Sequence, residues 1–150
     1  MKDALDYAFR LLERRDYTVK QIRDKLRFKE YSQDEIKKTI SRLLELGYLD
    51  DEKYARRWAI NTQKYRPRGK LLMSLMLAKK GISKDLREKV LDELIDEKEE
   101  LKMAQSCVTK KMRSLDKLSK KKKYEKLGRF LESRGFNYAI IAEILEEMIK

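Results

Sequence analysis

Lysine and arginine side chains dominate the middle of the sequence without any opposing carboxylate. Between Lys53 and Lys84 there are ten Lys or Arg residues and no Asp or Glu. Because a highly charged surface ordinarily mixes both signs, a long tract of one sign predicts contact with a polyanion or with an acidic protein surface. The candidate contacts are Lys53, Arg56, Arg57, Lys64, Arg66, Arg68, Lys70, Lys79 and Lys80.

A second basic tract follows in the last third of the chain. The final fifty residues carry 13 positive and 6 negative charges. Such a tract is consistent with attraction to phosphates and also with a purely solubilising role, so both interpretations stay open. Its candidate residues are Lys110, Lys111, Arg113, Lys120, Lys121, Lys122 and Lys123.

Two apolar patterns accompany the first basic tract. Tyr54, Trp58 and Tyr65 fall within about 40° on one helix face, which is typical of a core face and is also compatible with a platform for stacked bases. The following helix, Leu71–Ala78, is apolar all round. Such a helix is either enclosed by its neighbours or offers part of its surface to a partner. For the second case the candidate protein contacts are Leu72, Met73 and Met76.

The residue types argue against catalysis and against a metal or organic cofactor. The sequence contains no histidine, and its single cysteine, Cys107, has no base nearby and is interpreted as a small core residue. The carboxylates between Asp92 and Glu100 lack a second ligand set and are interpreted as an exposed helix face. We therefore predict a protein that is not an enzyme, with no cofactor and no metal site.

Three stretches of the sequence repeat one helical pattern. Each begins with a capping residue, which is followed by apolar residues at the spacing of a single helix face. The caps are Ser32, Ser83 and Asn137. Gly81 and Gly135 lie just before two of these caps, whereas the first copy has Glu30 at that position. We therefore expect the first turn to close differently.

The repeat predicts an all-α protein built from three tandem three-helix repeats of about 50 residues, forming an elongated, curved array. The predicted units are residues 1–48, 49–99 and 100–150. Thr18 and Gln21 are expected to form a capping box at the start of the second helix. Gly47 is expected to end the third helix, and Asp50 or Asp51 to cap the next. Since no Gly or Pro lies between Ser83 and Leu115, the sixth and seventh helices (about 84–98 and 100–115) are the least clearly separated.

The cellular setting follows from composition. No apolar run approaches the roughly 20 residues that a membrane span needs, and the first residues lack the layout of a signal peptide. One unpaired cysteine suits a reducing compartment. The sequence therefore predicts a cytoplasmic monomer without membrane contact.

Several motifs resemble those of a known family. Gly47-Tyr48-Leu49-Asp50-Asp51, with Tyr54-Ala55 and Trp58, resembles the hallmark segment of the RecX regulatory proteins. Arg68-Gly69 leading to Lys80-Gly81-Ile82, and Phe130-Leu131 leading to Arg134-Gly135-Phe136, are similar to that family's second and third signatures. The resemblance extends over nearly the whole chain and includes the triplicated three-helix layout.

The resemblance implies a cytoplasmic bacterial regulator of the RecA recombinase, with roles in DNA repair, recombination and the SOS response. Proteins of this kind bind RecA and the groove of its DNA filament, and they restrain ATP hydrolysis and strand exchange. They are non-enzymatic and need no cofactor. By this resemblance the expected partners are RecA, the RecA–DNA filament and DNA itself, single- or double-stranded.

The alternative is a stand-alone, non-specific DNA-binding protein built from helix-turn-helix-like units. Sequence-specific reading of the major groove would need base-reading side chains at the start of a recognition helix. The third helix instead opens with Gln33-Asp34-Glu35, which is acidic where it would meet DNA. Non-specific affinity for phosphates remains compatible with the charge.

Overall fold

In the computed structural model, which describes residues 3–149, every regular element is helical. This confirms the predicted all-α class. The α-helices of this region are α1 (Ala4–Arg14), α2 (Val19–Phe28), α3 (Gln33–Glu45), α4 (Asp51–Tyr65), α5 (Lys70–Lys79), α6 (Lys84–Leu94), α7 (Glu97–Met112), α8 (Lys120–Ser133) and α9 (Tyr138–Ile149). A 3₁₀ turn, Arg113–Leu115, extends α7.

The helices pack in consecutive groups of three, as predicted. In repeat one α1 and α2 pack on α3, in repeat two α4 and α5 pack on α6, and in repeat three α7, α8 and α9 contact one another. Tandem three-helix repeats are therefore the architecture of the chain.

Buried apolar side chains of the described residues form two separate clusters. The first consists of residues of α1, α2 and α3, which include Ile22, Leu26 and Leu43, together with Leu49 from the segment before α4. The second joins repeats two and three, and includes Met73 and Phe136. Repeats two and three thus share one core, whereas repeat one has a core of its own.

Local capping explains most helix ends. Thr18 and Gln21 form the predicted capping box at the start of α2. Gly47 has a φ of 79° and ends α3, with its N–H donating to the Leu44 carbonyl. The Asp50 carboxylate then accepts from the Lys53 N–H at 3.2 Å and caps α4. These three predictions are confirmed.

The boundary between the sixth and seventh helices differs from the prediction. Helix α6 ends at Leu94 and α7 begins at Glu97, both earlier than expected. Ile95 is extended and fully buried, and it anchors the break in the core. The Asp96 carboxylate accepts from the Glu99 N–H at 2.8 Å, so a side-chain cap starts α7 without a glycine or proline.

The expectation for the first turn is wrong. Glu30 adopts a left-handed φ of 65°, and the Tyr31 N–H donates to the Leu26 carbonyl. The same bond pattern closes the turns at Gly81 and Gly135. The first turn therefore closes like the others, although a non-glycine residue in this conformation costs about 1–2 kcal/mol.

Repeats one and two meet through polar contacts at joint one, where the start of α2 faces repeat two. The Thr18 hydroxyl donates to the Lys80 carbonyl at 2.5 Å. The Asp51 carboxylate accepts from the Val19 N–H at 3.0 Å, and burial raises the pKa of that carboxyl more than this hydrogen bond lowers it. Repeat two therefore supplies a capping carboxylate to a helix of repeat one.

Repeats two and three meet in the equivalent way at joint two. The Gly69 N–H donates to the Arg134 carbonyl at 2.8 Å, and the Lys70 N–H donates to the buried Glu100 carboxylate, also at 2.8 Å. A Cβ on Gly69 would lie 2.1 Å from the Gly135 oxygen. The close approach of two backbones thus requires glycine at this position.

Candidate polyanion-binding cleft

The loop between α4 and α5 presents two arginines from a constrained backbone. Arg66 and Arg68 flank Pro67, whose ring restricts φ. The Arg66 N–H donates to the Thr62 carbonyl at 2.8 Å, and the Cys107 thiol lies 3.5 Å from the Pro67 carbonyl. With Gly69 bound to repeat three, the loop is held on both sides, and its arginines project from a rigid support.

These arginines line a cleft of about 550 Å³ between repeats two and three. Its volume lies in the range of pockets that hold small ligands. The cleft brings together residues from both predicted basic tracts, for example Arg68 and Lys110, which are more than 40 positions apart in the sequence. Its lining consists of Tyr65, Arg66, Pro67, Arg68, Cys107, Lys110, Lys111, Ser114, Phe130 and Arg134.

Positive charge dominates the cleft. Five of the ten lining residues are Lys or Arg, and none of those ten is a carboxylate. The field acts on Cys107: burial raises the pKa of its thiol, while Arg134, Lys110 and Arg68 lower it and only partly offset the burial. Five cations around one concave surface attract phosphates or carboxylates from solution.

Two aromatic rings complete the cleft. The Lys111 ammonium and the Arg134 guanidinium lie 5.2 and 5.1 Å from the centre of the Phe130 ring. These cation–π contacts orient both charges. Tyr65 is 70 % exposed, whereas Tyr54 and Trp58 pack against the core cluster. The aromatic stripe of α4 is thus mainly a core face, and Tyr65 is its accessible member.

Three residues of the predicted basic face form ion pairs within the chain. Arg56 pairs with Glu52 and Glu93. The hydrogen bond to Glu93, and to a smaller extent the one to Glu52, raises the pKa of the Arg56 guanidinium. Arg57 lies 3.0 Å from Asp16. The Lys70 ammonium is also paired, 3.1 Å from Asp92. Their charges are therefore partly neutralised.

The other predicted basic residues lie outside the cleft. Lys53 lies in a polar groove at joint one, the exposed Lys64 lies over the Tyr65 ring, and Lys79 is exposed at the end of α5. Lys80 is half-buried, and its carbonyl serves joint one.

The second basic tract is likewise divided. Lys110 and Lys111 line the cleft, while Arg113 is exposed in the 3₁₀ turn. The four lysines 120–123 form the first turn of α8, which Ser119 caps. Their positive charges lie at the positive end of the helix dipole, an unfavourable arrangement for that helix.

The predicted apolar contacts on α5 require a correction. Met73 is completely buried in the core, and Leu72 is half-buried beside Gly135, so neither offers a free surface. Met76 is also half-buried. The exposed apolar side chains of α5 are instead Leu71 and Leu75, because the opposite side of the helix packs on α6 and faces the shared core.

The acidic cluster is not a uniform exposed face. Asp92 and Glu93 form the ion pairs described above, Asp96 caps α7, and Glu100 is buried at joint two. No group of three or more metal-ligating side chains occurs among residues 3–149. Over the same residues, no helix has the length and apolar character needed to cross a membrane.

Sequence reasoning missed the contribution of the end of α8 to the cleft. Phe130 and Arg134 follow the second basic tract in the sequence and reach the cleft through the packing of α8 on α7. One signal was available: Arg134 immediately precedes Gly135, and Arg68 immediately precedes Gly69. These two Arg-Gly pairs meet at joint two.

Comparisons with known proteins place this architecture in a family. Residues 4–43 match the first three-helix domain of RecX, and residues 97–145 match its third three-helix domain. The chain is 39 % identical over 154 residues to the regulatory protein RecX of Clostridium botulinum strain Eklund 17B, covering 99 % of this chain and 71 % of that relative. The chain belongs to the RecX family.

Other RecX proteins support the same assignment. The regulatory protein RecX of Chlorobium phaeobacteroides strain BS1 is 33 % identical over 149 residues, covering 99 % of this chain and 95 % of the relative. The crystal structure of RecX from Lactobacillus salivarius has a TM-score of 0.89 at 27 % identity, covering 97 % of this chain and 94 % of that one. This RecX-family chain is thus a member of a family of regulatory proteins.

Proposed function

We propose that this chain regulates the RecA recombinase by binding RecA and its DNA filament, and that it restrains ATP hydrolysis and strand exchange. In this role it acts as a monomer in the bacterial cytoplasm, within DNA repair, recombination and the SOS response. Membership of a family of regulatory proteins supports the proposal. The observation that carries it for this chain is the cleft, which joins two basic tracts into one site.

The proposed mechanism is bridging. The cleft binds phosphates of the filament DNA or carboxylates of RecA, while other faces of the three repeats contact neighbouring RecA subunits. A ligand that binds one arrangement of subunits more tightly than another shifts the equilibrium towards it. Bridging therefore opposes the subunit rearrangements of hydrolysis and strand exchange.

The test is RecA's DNA-dependent ATP hydrolysis, with and without this protein, at two salt concentrations. We expect the purified protein to slow hydrolysis at substoichiometric ratios to DNA phosphate. No effect at either concentration would remove this function.

Charge-reversal variants connect that assay to the cleft. Arg68→Glu should greatly weaken inhibition, because one of the five cleft cations changes sign. Arg57→Glu is the comparison: Arg57 is already paired with Asp16 outside the cleft, so a smaller effect is expected. Equal effects would show that total charge, rather than the cleft, determines inhibition. Far-ultraviolet circular dichroism checks that helix content is retained.

The cleft also supports a second candidate function, non-specific DNA binding without RecA. The two functions are distinguished by measuring inhibition of RecA while the ratio of DNA to this protein is varied. If inhibition of RecA disappears whenever DNA is in excess over this protein, sequestration of DNA accounts for it. Inhibition that persists under excess DNA supports direct action on the filament.

A further inference from the structure

The middle repeat carries an exposed apolar surface on α5. Leu71 is 58 % exposed and Leu75 is 61 % exposed. They lie four residues apart on one helix face, and the exposed Lys79 follows at the same spacing. The opposite side of α5 presents Met73 and Leu77 to the core, so the two leucines are not needed for the packing of this helix.

The other repeats provide an internal control. Aligned by their turns, Glu30 and Gly81, helices α2 and α5 place Lys20 and Asp24 at the positions of Leu71 and Leu75. The same alignment on Gly135 places Glu125 and Arg129 there in α8. All four are charged and exposed. The fold therefore accepts charged side chains at these positions, and packing within a repeat does not explain leucines in repeat two.

We propose that Leu71 and Leu75 form a protein-docking surface for a shallow apolar groove bordered by carboxylates. Charge complementarity supports this occupant. Helix α5 carries no Asp or Glu, and its face is flanked by Lys79 at one end and by the loop arginine Arg68 at the other. Apolar anchors inside a rim of opposite charge combine affinity with specificity.

The same charges argue against a second copy of this chain as the occupant. The chain has a formal net charge of +12, and the α5 face is basic at its rim, so two such faces would repel each other. The surface is also distinct in chemistry from the cleft, which binds anions. The two sites therefore make separable contributions, one through charge and the other through apolar contact.

This inference rests on the proposed function, under which the groove belongs to a RecA subunit. The test variant Leu71→Lys/Leu75→Asp transplants the residues of α2 onto α5 without changing net charge. The matched control, Leu44→Lys/Leu46→Asp, makes the same changes at two exposed leucines of repeat one. Affinity for RecA filaments assembled on single-stranded DNA with a slowly hydrolysed ATP analogue is measured by biolayer interferometry.

We expect the α5 variant to bind filaments at least about tenfold more weakly than the wild type, as for loss of a central apolar contact. The control variant and the affinity of both variants for free DNA should be unchanged. If the wild type binds filaments and the α5 variant binds them equally tightly, the docking surface is overturned while the proposed function stands. Absence of any wild-type effect on RecA removes the proposed function together with this inference. Wild-type dimers that the α5 variant converts to monomers in sedimentation also overturn it, because a second copy is then the occupant.

Discussion

Replacing Arg68 and Lys110 with glutamine tests whether the cleft is a phosphate site. The two residues come from different basic tracts, and no ion pair involving either is present in the structural description of residues 3–149. Both changes leave the core and the joints intact. A loss of DNA affinity would then follow from the missing charges.

The expected magnitude follows from counterion release. If each of the five cleft cations neutralises one phosphate of a single strand, the slope of log K against log [salt] is about −0.7 × 5, or −3.5. The affinity then falls about 100-fold between 50 and 200 mM salt. With three cations left the slope is about −2.1, and the fall is about 20-fold.

Fluorescence anisotropy of a labelled oligothymidylate, titrated at four salt concentrations, measures both slopes. Lys25→Gln/Lys38→Gln removes the same charge from exposed positions of repeat one and should leave the slope near its wild-type value. If the cleft variant keeps the wild-type slope, or if the control lowers it equally, the cleft is not where phosphates bind. The reasoning would then be refuted even if the protein binds DNA.

Other predictions concern stability and the thiol. Gly135→Ala should lower the free energy of unfolding by about 3 kcal/mol in urea titrations, because its Cβ would lie 2.1 Å from the Leu72 Cβ at a φ of 85°. Gly47→Ala, which meets nothing within 4 Å, should cost only about 1 kcal/mol, and equal costs would contradict the steric argument. Asp51→Ala should cost about 1 kcal/mol and Asp51→Asn nothing at pH 7, since asparagine keeps the acceptor oxygen. Because the pKa of Asp51 is raised in the folded state, the free energy of unfolding should fall as the pH rises through that pKa and the carboxyl ionises. Asp51→Asn should abolish this fall. If the variant keeps the wild-type pH dependence, the dependence does not come from Asp51. Cys107 should react slowly with iodoacetamide at pH 8, because its pKa is raised, and DNA in the cleft should slow it further; the same rate with and without DNA would place the DNA elsewhere.

Much of the fold was predictable because its signals are local. The capping box at Thr18, the stop at Gly47 and the three apolar stripes depend on residues within one or two helical turns of each other. The failures also have local causes. Asp96 caps α7 without glycine or proline, and Glu30 takes a conformation that glycine normally provides. Sequence patterns assign a left-handed residue such as Glu30 poorly because its energetic penalty is only about 1–2 kcal/mol.

The site was only partly predictable. The charge tracts indicated the kind of ligand, and Arg66, Arg68, Lys110 and Lys111 lie together in the cleft. Charge counts could not reveal that Arg57 is paired internally, because its partner Asp16 lies 41 residues away in the sequence. Which side of α5 is exposed depended likewise on how the helix packs into the core shared by repeats two and three. Both properties arise from long-range contacts.

The two joints differ in what holds them, and this makes their sensitivity to salt unequal. Joint one combines hydrogen bonds and a close approach of Gly81 to the Lys20 side chain with an ion pair between Arg57 and Asp16, whose side chains are 68 % and 62 % exposed. Joint two shares an apolar core and a contact between two glycine backbones. Screening by salt weakens an exposed ion pair but hardly affects apolar packing. Raising the salt concentration should therefore weaken the contact between repeats one and two more than the contact between repeats two and three. The cleft, which lies between repeats two and three, should keep its shape over the same range of salt.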